Sequence, residues 1–398
     1  MEYIPLMLPA AHIKRLNSCL RSSSPSLFHI HCLFILIVLL PFSAFASDSI
    51  KIASIYALSG PAAEANQVSV KGVRLAVHQI NAEGGIAGLP IELLELDNQS
   101  TPIGSKVAAD MANQADVIAI IGASFSSHSM AVAGVAQRHG IPMITNVSTS
   151  PAVTLVGDCI FRVCFNDVFQ GRVMAKFARD EIRIDKVVTI YDMASDYSMG
   201  ISETFEQTFT QMNGEVLEKI PYKARQPNFR NIISLIDSAN PDGLFVAGHV
   251  ESGRIIAAAI QNGMSAIPLG GDGWGTPRFY EIGGNFIKLG YYSTHWHQDI
   301  ASAPSRRFVA RYGKSGRLWA STALAYDAVH LLADAIKRAG SVNRASVQKE
   351  LARTRKFEGV TGTISFDENG DPIKDVVIMK IENGVPRYLK QVGSNYLD

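Results

Sequence analysis

The chain has 398 residues, 47% of them hydrophobic and 18% charged, enough apolar content to bury cores and too little charge for a disordered tail. At roughly 100–200 residues per domain, this length predicts two lobes rather than a single core. A formal charge of +1 lacks the basic excess that neutralising phosphates demands, which excludes DNA and RNA as partners.

Lys14, Arg15 and Arg21 precede the apolar run Cys32–Leu40, which Pro41 breaks ahead of Ala44-Phe45-Ala46. Positive, apolar and small residues in that order predict a secretory signal peptide over residues 1–46, cleaved after Ala46. The rival is an uncleaved anchor from Leu27 to Ala46, and His29, His31 and Pro41 argue against it. Cys32 follows Ile30-His31 rather than a small-residue lipobox, so no lipid anchor is expected. Cleavage removes three basic residues and Glu2 and leaves a near-neutral exported chain. Its two remaining cysteines, Cys159 and Cys164, would sit about 16 Å apart on an extended strand, beyond disulfide reach, and are expected to be free and buried.

From Ile50 the chain alternates β-rich runs with helical stretches. IKIASIYA (Ile50–Ala57) leads to a segment whose Val70, Val73, Val77 and Ile80 recur at helical spacing and end at Gly84-Gly85. IELLELD (Ile91–Asp97), VIAIIG (Val117–Gly122) and PMIT (Pro142–Thr145) follow as strands, with helices over Lys106–Gln114 and Ser127–His139 between them. A second series of the same texture starts after Asp167, with strands VVTIY (Val187–Tyr191), EVLEKI (Glu215–Ile220), GLFVAG (Gly243–Gly248) and IPLGG (Ile267–Gly271). Beyond Tyr291 the chain turns helical, through Ser305–Tyr312, Ser321–Ala339 and Arg344–Thr354, before strands GTISF (Gly362–Phe366) and VVIMKI (Val376–Ile381), which are expected to dock onto the existing sheets. Strand–helix alternation predicts an α/β fold of two lobes, each a mostly parallel sheet flanked by helices. With no linker between the series, the lobes exchange segments through several crossovers, which is how a hinge is built.

Catalytic and metal motifs fail on spacing. Gly270-Gly271-Asp272-Gly273-Trp274-Gly275 lacks GxGxxG, there is neither GxxxxGK[ST] nor HExxH, and Gly122-Ala123-Ser124-Phe125-Ser126 ends in Ser where a nucleophile elbow needs Gly. His295 and His297, two apart on a strand without a placed third ligand, read as a surface face. Asp367, Asn369 and Asp371 open like a calcium loop, but Pro372 stands where Gly is required, so FDENGD reads as a turn. The chain is expected to be no enzyme and to need no cofactor and no metal.

What remains is a binding constellation. Ser59-Gly60-Pro61, Ser124 to Ser129 and Ser148-Thr149-Ser150 stand at the C-terminal ends of predicted strands, where open parallel sheets hold ligands. Ser126-Ser127-His128-Ser129 opens a helix, so free N–H groups and the hydroxyls of Ser126 and Thr149 suit a carboxylate. The competing role for these hydroxyls is plain helix capping. Asp272 follows IPLGG among glycines, with no bulky neighbour expected, and an acid opposite a carboxylate pocket can hold an ammonium. Tyr197 could wall the site.

These motifs resemble the type I periplasmic substrate-binding proteins of branched-chain amino acid ABC transporters, the leucine/isoleucine/valine-binding family. The resemblance spans Ile50 to about Asn383, through LSGPAA (Leu58–Ala63), Lys71–Leu93, IIGASFSS (Ile120–Ser127), HGIPMITNVSTSP (His139–Pro151), FRVCFND with Gln170-Gly171, LGGDGW (Leu269–Trp274) and GTISFDENGD (Gly362–Asp371). It implies two lobes joined by three hinge crossovers, an N-terminal one of residues 48–166 plus 297–378 and a C-terminal one of 167–296 plus 379–398. It implies a periplasmic solute-binding protein, expected to be a monomer, that closes on an amino acid or related small zwitterion and delivers it to an ABC permease with its ATPase. A periplasmic ligand sensor is the alternative. By position, Ser126 and Thr149 resemble the carboxylate-binding hydroxyls, Val147 the residue whose carbonyl takes the amine, Asp272 the acid paired with it, and Tyr197 an aromatic of the second lobe. Two departures, Ala65 where an aromatic stands in the family and His249 near a missing Tyr, mean that a branched aliphatic ligand is not assumed.

Overall fold

A computed structural model describes residues 49–398, apart from 225 and 227 and the side chains of 315 and 394. The expected signal peptide lies outside the described residues. The first lobe runs β1 (Ile50–Tyr56), α1 (Ala63–Ala82), β2 (Ile91–Asp97), α2 (Pro102–Gln114), β3 (Ile120–Gly122), α3 (Ser126–Arg138), β4 (Met143–Thr145) and β5 (Ile160–Arg162). Its sheet has the order β2-β1-β3-β4-β5 with every neighbour parallel.

The chain then builds a second lobe from α4 (Asp167–Phe177), β6 (Lys186–Asp192), α5 (Asp196–Gln211), β7 (Glu215–Tyr222), α6 (Arg230–Ala239), β8 (Gly243–Ala247), α7 (Glu251–Gln261), β9 (Ile267–Gly270), α8 (Pro277–Ile282) and β10 (Leu289–Thr294). It returns to the first lobe as α9 (Ala303–Tyr312), α10 (Ala320–Ala339), α11 (Arg344–Ala352) and a hairpin of β11 (Phe357–Gly359) and β12 (Gly362–Ile364). It ends in the second with β13 (Val376–Glu382) and β14 (Val385–Val392), giving the order β14-β13-β10-β9-β8-β6-β7.

Local chemistry sets these boundaries. Thr101 accepts the Gly104 N–H at 2.9 Å ahead of Pro102 in the first turn of α2, Asn166 caps α4 through Phe169 N–H at 3.1 Å, and left-handed Gly340 ends α10. On α1 the buried Val70, Val73, Val77 and Ile80 join Leu324, Val329 and Leu332 of α10 in one core cluster, and this apolar seam ties the C-terminal helices to the N-terminal sheet. In each sheet the strand order reverses beside its first strand, between β1 and β3 and between β6 and β8. A crevice at the strand ends is the topological consequence.

Three crossings connect the lobes, after β5, after β10 and before β13. Arg162, wholly buried, bonds Asp371 of the last crossing at 2.6 Å, the Ser148 and Ser150 carbonyls at 2.7 and 2.9 Å and the Thr154 hydroxyl at 2.8 Å. Asn166 adds a bond to Asp371 at 3.0 Å, and the buried Lys374 ammonium donates to the Val163 carbonyl at 3.0 Å. Cys159 and Cys164 flank β5 as free, buried thiols.

The structure departs from expectation in four places. β10, β14 and α8 lie outside the sequence expectation: β10 has Gly290 ahead of its tyrosines, and β14, at the sheet edge, buries only Pro386 and Val392. β11 and β12 pair only with each other, so GTISF does not join an existing sheet. The boundary expected at 378/379 falls inside β13, all of which pairs in the second sheet, so the last crossing precedes Val376. His295 is buried at the foot of the middle crossing, which overturns its reading as a surface residue. Because Arg162 holds three buried acceptors and a carboxylate, Arg162→Leu should lower stability by about 3–5 kcal/mol, visible as an earlier urea midpoint. An unchanged midpoint would remove Arg162 from the hinge's support.

Candidate functional site

The first-lobe half of the crevice begins where α3 starts. No side chain caps its N-terminus, so its first N–H groups remain for another acceptor. The Ser126 hydroxyl oxygen accepts the Ser150 N–H at 3.2 Å and keeps its own proton to donate. The loop after β4 is held by Ser148, whose hydroxyl meets Ser129 Oγ at 2.6 Å and donates to the Ser124 carbonyl at 3.0 Å. Thr149 follows, fully buried; its carbonyl accepts the Asp167 N–H at 2.9 Å, while its hydroxyl lies beside the Asp167 carboxyl without a well-formed hydrogen bond. Val147, in the same loop, is half-buried against the first-lobe core. Ser126 and Thr149 thus belong to one loop cluster, joined through Ser150.

The second-lobe half is acidic. Asp272 opens the turn after β9 between Gly271 and Gly273, where a Cβ would come within 2.5 Å of the Tyr197 hydroxyl and 2.4 Å of the Gly248 carbonyl respectively. Glycine lets this turn approach α5 and β8 closely. Asp272 is hydrogen-bonded on both oxygens: Oδ1 accepts from Gln170 Nε2 at 3.0 Å and Oδ2 meets His295 Nε2 at 3.1 Å. The same Gln170 nitrogen bonds Asp167 Oδ1 at 2.7 Å, and the Gln170 carbonyl oxygen accepts the Ser293 hydroxyl at 2.9 Å. Tyr197 is buried beside the carboxylate, its hydroxyl accepting the Gly273 N–H at 3.1 Å.

Charge is distributed unequally within this cluster. Burial opposes ionisation of Asp272, but the hydrogen bonds from His295 and the Gln170 amide hold its carboxyl below the ordinary value. Burial pushes the His295 imidazole down against the pull of Asp272, which fits a neutral ring whose Nε2–H donates to Asp272. Asp167, buried and close to the Asp272 charge, is pushed up to about 8.

Beside this cluster the crevice opens into a cavity of about 650 Å³ lined by Pro61, Ala65, Phe125, Ser126, His128 and His249 among others. Phe125 of the first lobe stacks on His249 of the second at 4.4 Å between centroids, and His249 stacks on Tyr197 at 4.8 Å. Of the expected residues, Ser126 lines the cavity; Thr149, Tyr197, Asp272 and Val147 do not. Tyr197 and Asp272 stand behind the His249 ring, while Thr149 is joined to them by the run Thr149–Asp167–Gln170–Asp272. Sequence reasoning missed Asp167, Gln170, His295, Phe125 and His128. The pair Asp167 and Gln170, three apart at the start of a helix, carried a signal, because that spacing puts both on one face.

The chain matches the family described as periplasmic binding protein over residues 49–385. It is 28% identical over 338 residues to the Leu/Ile/Val-binding protein homolog 3 of Brucella melitensis, covering 83% of this chain and 90% of that protein. The crystal structure of a leucine-binding protein from Thermotoga maritima superposes with a TM-score of 0.83 at 34% identity, covering 87% of this chain and 99% of the other. A branched-chain amino acid transporter substrate-binding protein of Streptococcus pneumoniae, solved in complex with isoleucine, gives 0.80 at 30% identity over 87% and 99% of the two chains.

His128 supplies a pH test of the cavity wall. Burial, and then the nearby His249, push its imidazole down to about 4 from an ordinary 6.5. The folded state therefore holds it neutral while the unfolded chain takes up a proton, so its contribution to stability is present above pH 6.5 and is lost as pH falls toward 4. In urea titrations at pH 7 and pH 4.5, His128→Gln should lose less stability on acidification than the wild type; equal losses would show that His128 does not titrate this way.

Proposed function

The chain belongs to the periplasmic binding protein family, and on that premise we propose that it is the solute-binding protein of an ABC importer, closing on an amino acid or related small zwitterion. Residues 49–166 with 297–375 and 167–296 with 376–398 form the two jaws. Residues 1–46 direct the chain to the periplasm, and the bound ligand is handed to a membrane permease. The Streptococcus pneumoniae relative is a branched-chain amino acid transporter substrate-binding protein, which favours delivery over signalling.

The reading rests above all on the Thr149 loop: its buried hydroxyl lies beside the Asp167 carboxyl, and its carbonyl begins a hydrogen-bonded run through Asp167 and Gln170 to Asp272 in the opposite lobe. The ligand carboxylate takes the α3 N–H groups and the hydroxyls of Ser126 and Thr149, where the helix dipole adds a favourable potential. Its ammonium takes Asp272 and the Val147 carbonyl. Tyr197 closes over it, and exclusion of water strengthens each charge-assisted bond. Ligand favours closure only through contacts that the closed state adds. Ala65 and His249 line the space left to the ligand's side chain, and Asp192 and Glu251 stand nearby, so this end is more polar than a branched aliphatic group calls for.

A thermal-shift screen of the twenty standard L-amino acids tests the reading, because a ligand that binds only the folded state raises Tm. For an amino acid found this way, calorimetry should show that Asp272→Ala costs roughly 2–5 kcal/mol of binding, with Asp272→Asn, which retains the Gln170 bond, as the folded control. Wild-type affinity in both variants would refute the role given to Asp272.

A further inference from the structure

The cationic end of the site holds more acceptors than one acid supplies. Gln170 Nε2 bridges Asp272 Oδ1 at 3.0 Å and Asp167 Oδ1 at 2.7 Å, which fixes the two carboxyl groups as neighbours. Each is anchored on one side: Asp272 by Gln170 and His295, Asp167 by Gln170 and its helix. The second oxygen of Asp167 and the Thr149 hydroxyl beside it are buried against one another with no well-formed hydrogen bond to any described residue, and Nδ1 of His295 is buried without a partner among the described residues. Facing Asp167 from α5, residue 200 is a glycine, where even an added Cβ would stand 3.9 Å from that oxygen. Buried polar atoms are nearly always paired. Oxygens left without a well-formed bond beside two bridged carboxyl groups are acceptors that suit a group with several N–H donors.

We propose that Asp167 is a second ligand-contacting acid, acting with Asp272 on one primary ammonium, and that its carboxyl proton departs to solvent as the ammonium arrives. The proposal rests on the zwitterion-binding reading above and adds a residue and a proton to it. The exchange balances: protonated Asp167 and the ammonium give an Asp167 carboxylate paired with the ammonium plus one proton in solution, with no bond to carbon broken. Neighbouring carboxyl groups in a dry site cannot both stay ionised without a cation, so the ligand supplies the charge that permits the second ionisation. The groups that face Asp167 are Gln170 on its own helix, Asp272 after β9, Tyr197 of α5, Thr149 after β4 and Arg162 of β5. Arg162 is engaged by Asp371 and two carbonyls, which leaves the ammonium as the available counter-charge. The chemical class follows: a primary ammonium offers three N–H donors to these oxygens, whereas a quaternary ammonium offers none.

The experiment has two arms. In the ligand-free protein, stability is compared between wild type and Asp167→Asn from pH 5 to pH 8.5. A carboxyl protonated in the folded state and ionised in the unfolded one favours folding at low pH and loses that contribution as pH rises toward 8, so the wild type should fall relative to the variant over this range. A constant difference overturns the proposal. In the second arm, whichever standard L-amino acid raises Tm most is titrated at pH 7 in phosphate and in Tris, whose ionisation enthalpies differ, and glycine betaine serves as the quaternary probe. Wild type should release close to one proton per ligand and Asp167→Asn close to none, with affinity roughly tenfold weaker in the variant. Betaine should not bind. Amino acid binding without proton release, or betaine binding at comparable affinity, overturns this proposal while leaving the zwitterion reading standing. If no amino acid raises Tm, that reading falls and this one falls with it.

Discussion

The guanidinium of Arg162 is the fixed point of the molecule. Buried at the end of β5, it holds the Ser148 and Ser150 carbonyls on either side of Thr149 and, on its other edge, Asp371 of the last crossing. A planar fork with donors in fixed directions can satisfy acceptors from two segments at once. The loop that presents Thr149 to the crevice and the strand on which the lobes turn are therefore held by one side chain. Movement of one jaw cannot leave the carboxylate pocket undisturbed unless this cation stays in place.

Around that point, the two lobes bring opposite chemistry to the crevice. The first contributes donors: an uncapped helix start and the Ser126 hydroxyl, whose oxygen already accepts the Ser150 N–H. The second contributes Asp272, held ionised in a buried setting by a neutral imidazole and an amide. Desolvated dipoles and charges act over short distances with little screening, so the proposed zwitterion would be held in one orientation by this arrangement. The Phe125–His249–Tyr197 stack crosses from one lobe to the other beside this charge pattern and joins the lobes by ring contacts.

Much of this could be read in the sequence because the periodicities were clean. Valines at helical spacing marked α1, and short apolar runs bounded by glycine marked the parallel strands, whose burial on both faces leaves no alternation to misread. β14 escaped because an edge strand that carries a proline and buries only two residues resembles a loop, and β10 because Gly290 and polar residues dilute its apolar run. In the site, Ser126 and Thr149 were legible as hydroxyls at strand ends, a property of local order. His295 was not. Its partner Asp272 stands 23 residues earlier, and no local pattern reports that a histidine at the foot of a crossing points inward. The bridging role of Gln170, 102 residues from Asp272, was hidden for the same reason.

The thiols beside β5 carry a last consequence. Cys164 is enclosed beneath the Ser148 carbonyl, to which its sulfur bonds at 3.5 Å, and burial pushes its ionisation up to about 12; Cys159 is raised to about 11, again first by burial. Sulfur attacks as thiolate, so the native chain offers oxidants almost no nucleophile even in a compartment that makes disulfides. Only the unfolded chain exposes both, and a bridge formed there would curl the segment that must become β5 and with it displace Arg162. Closure of the first sheet over its own cysteines therefore withdraws both thiols from that chemistry as the chain folds.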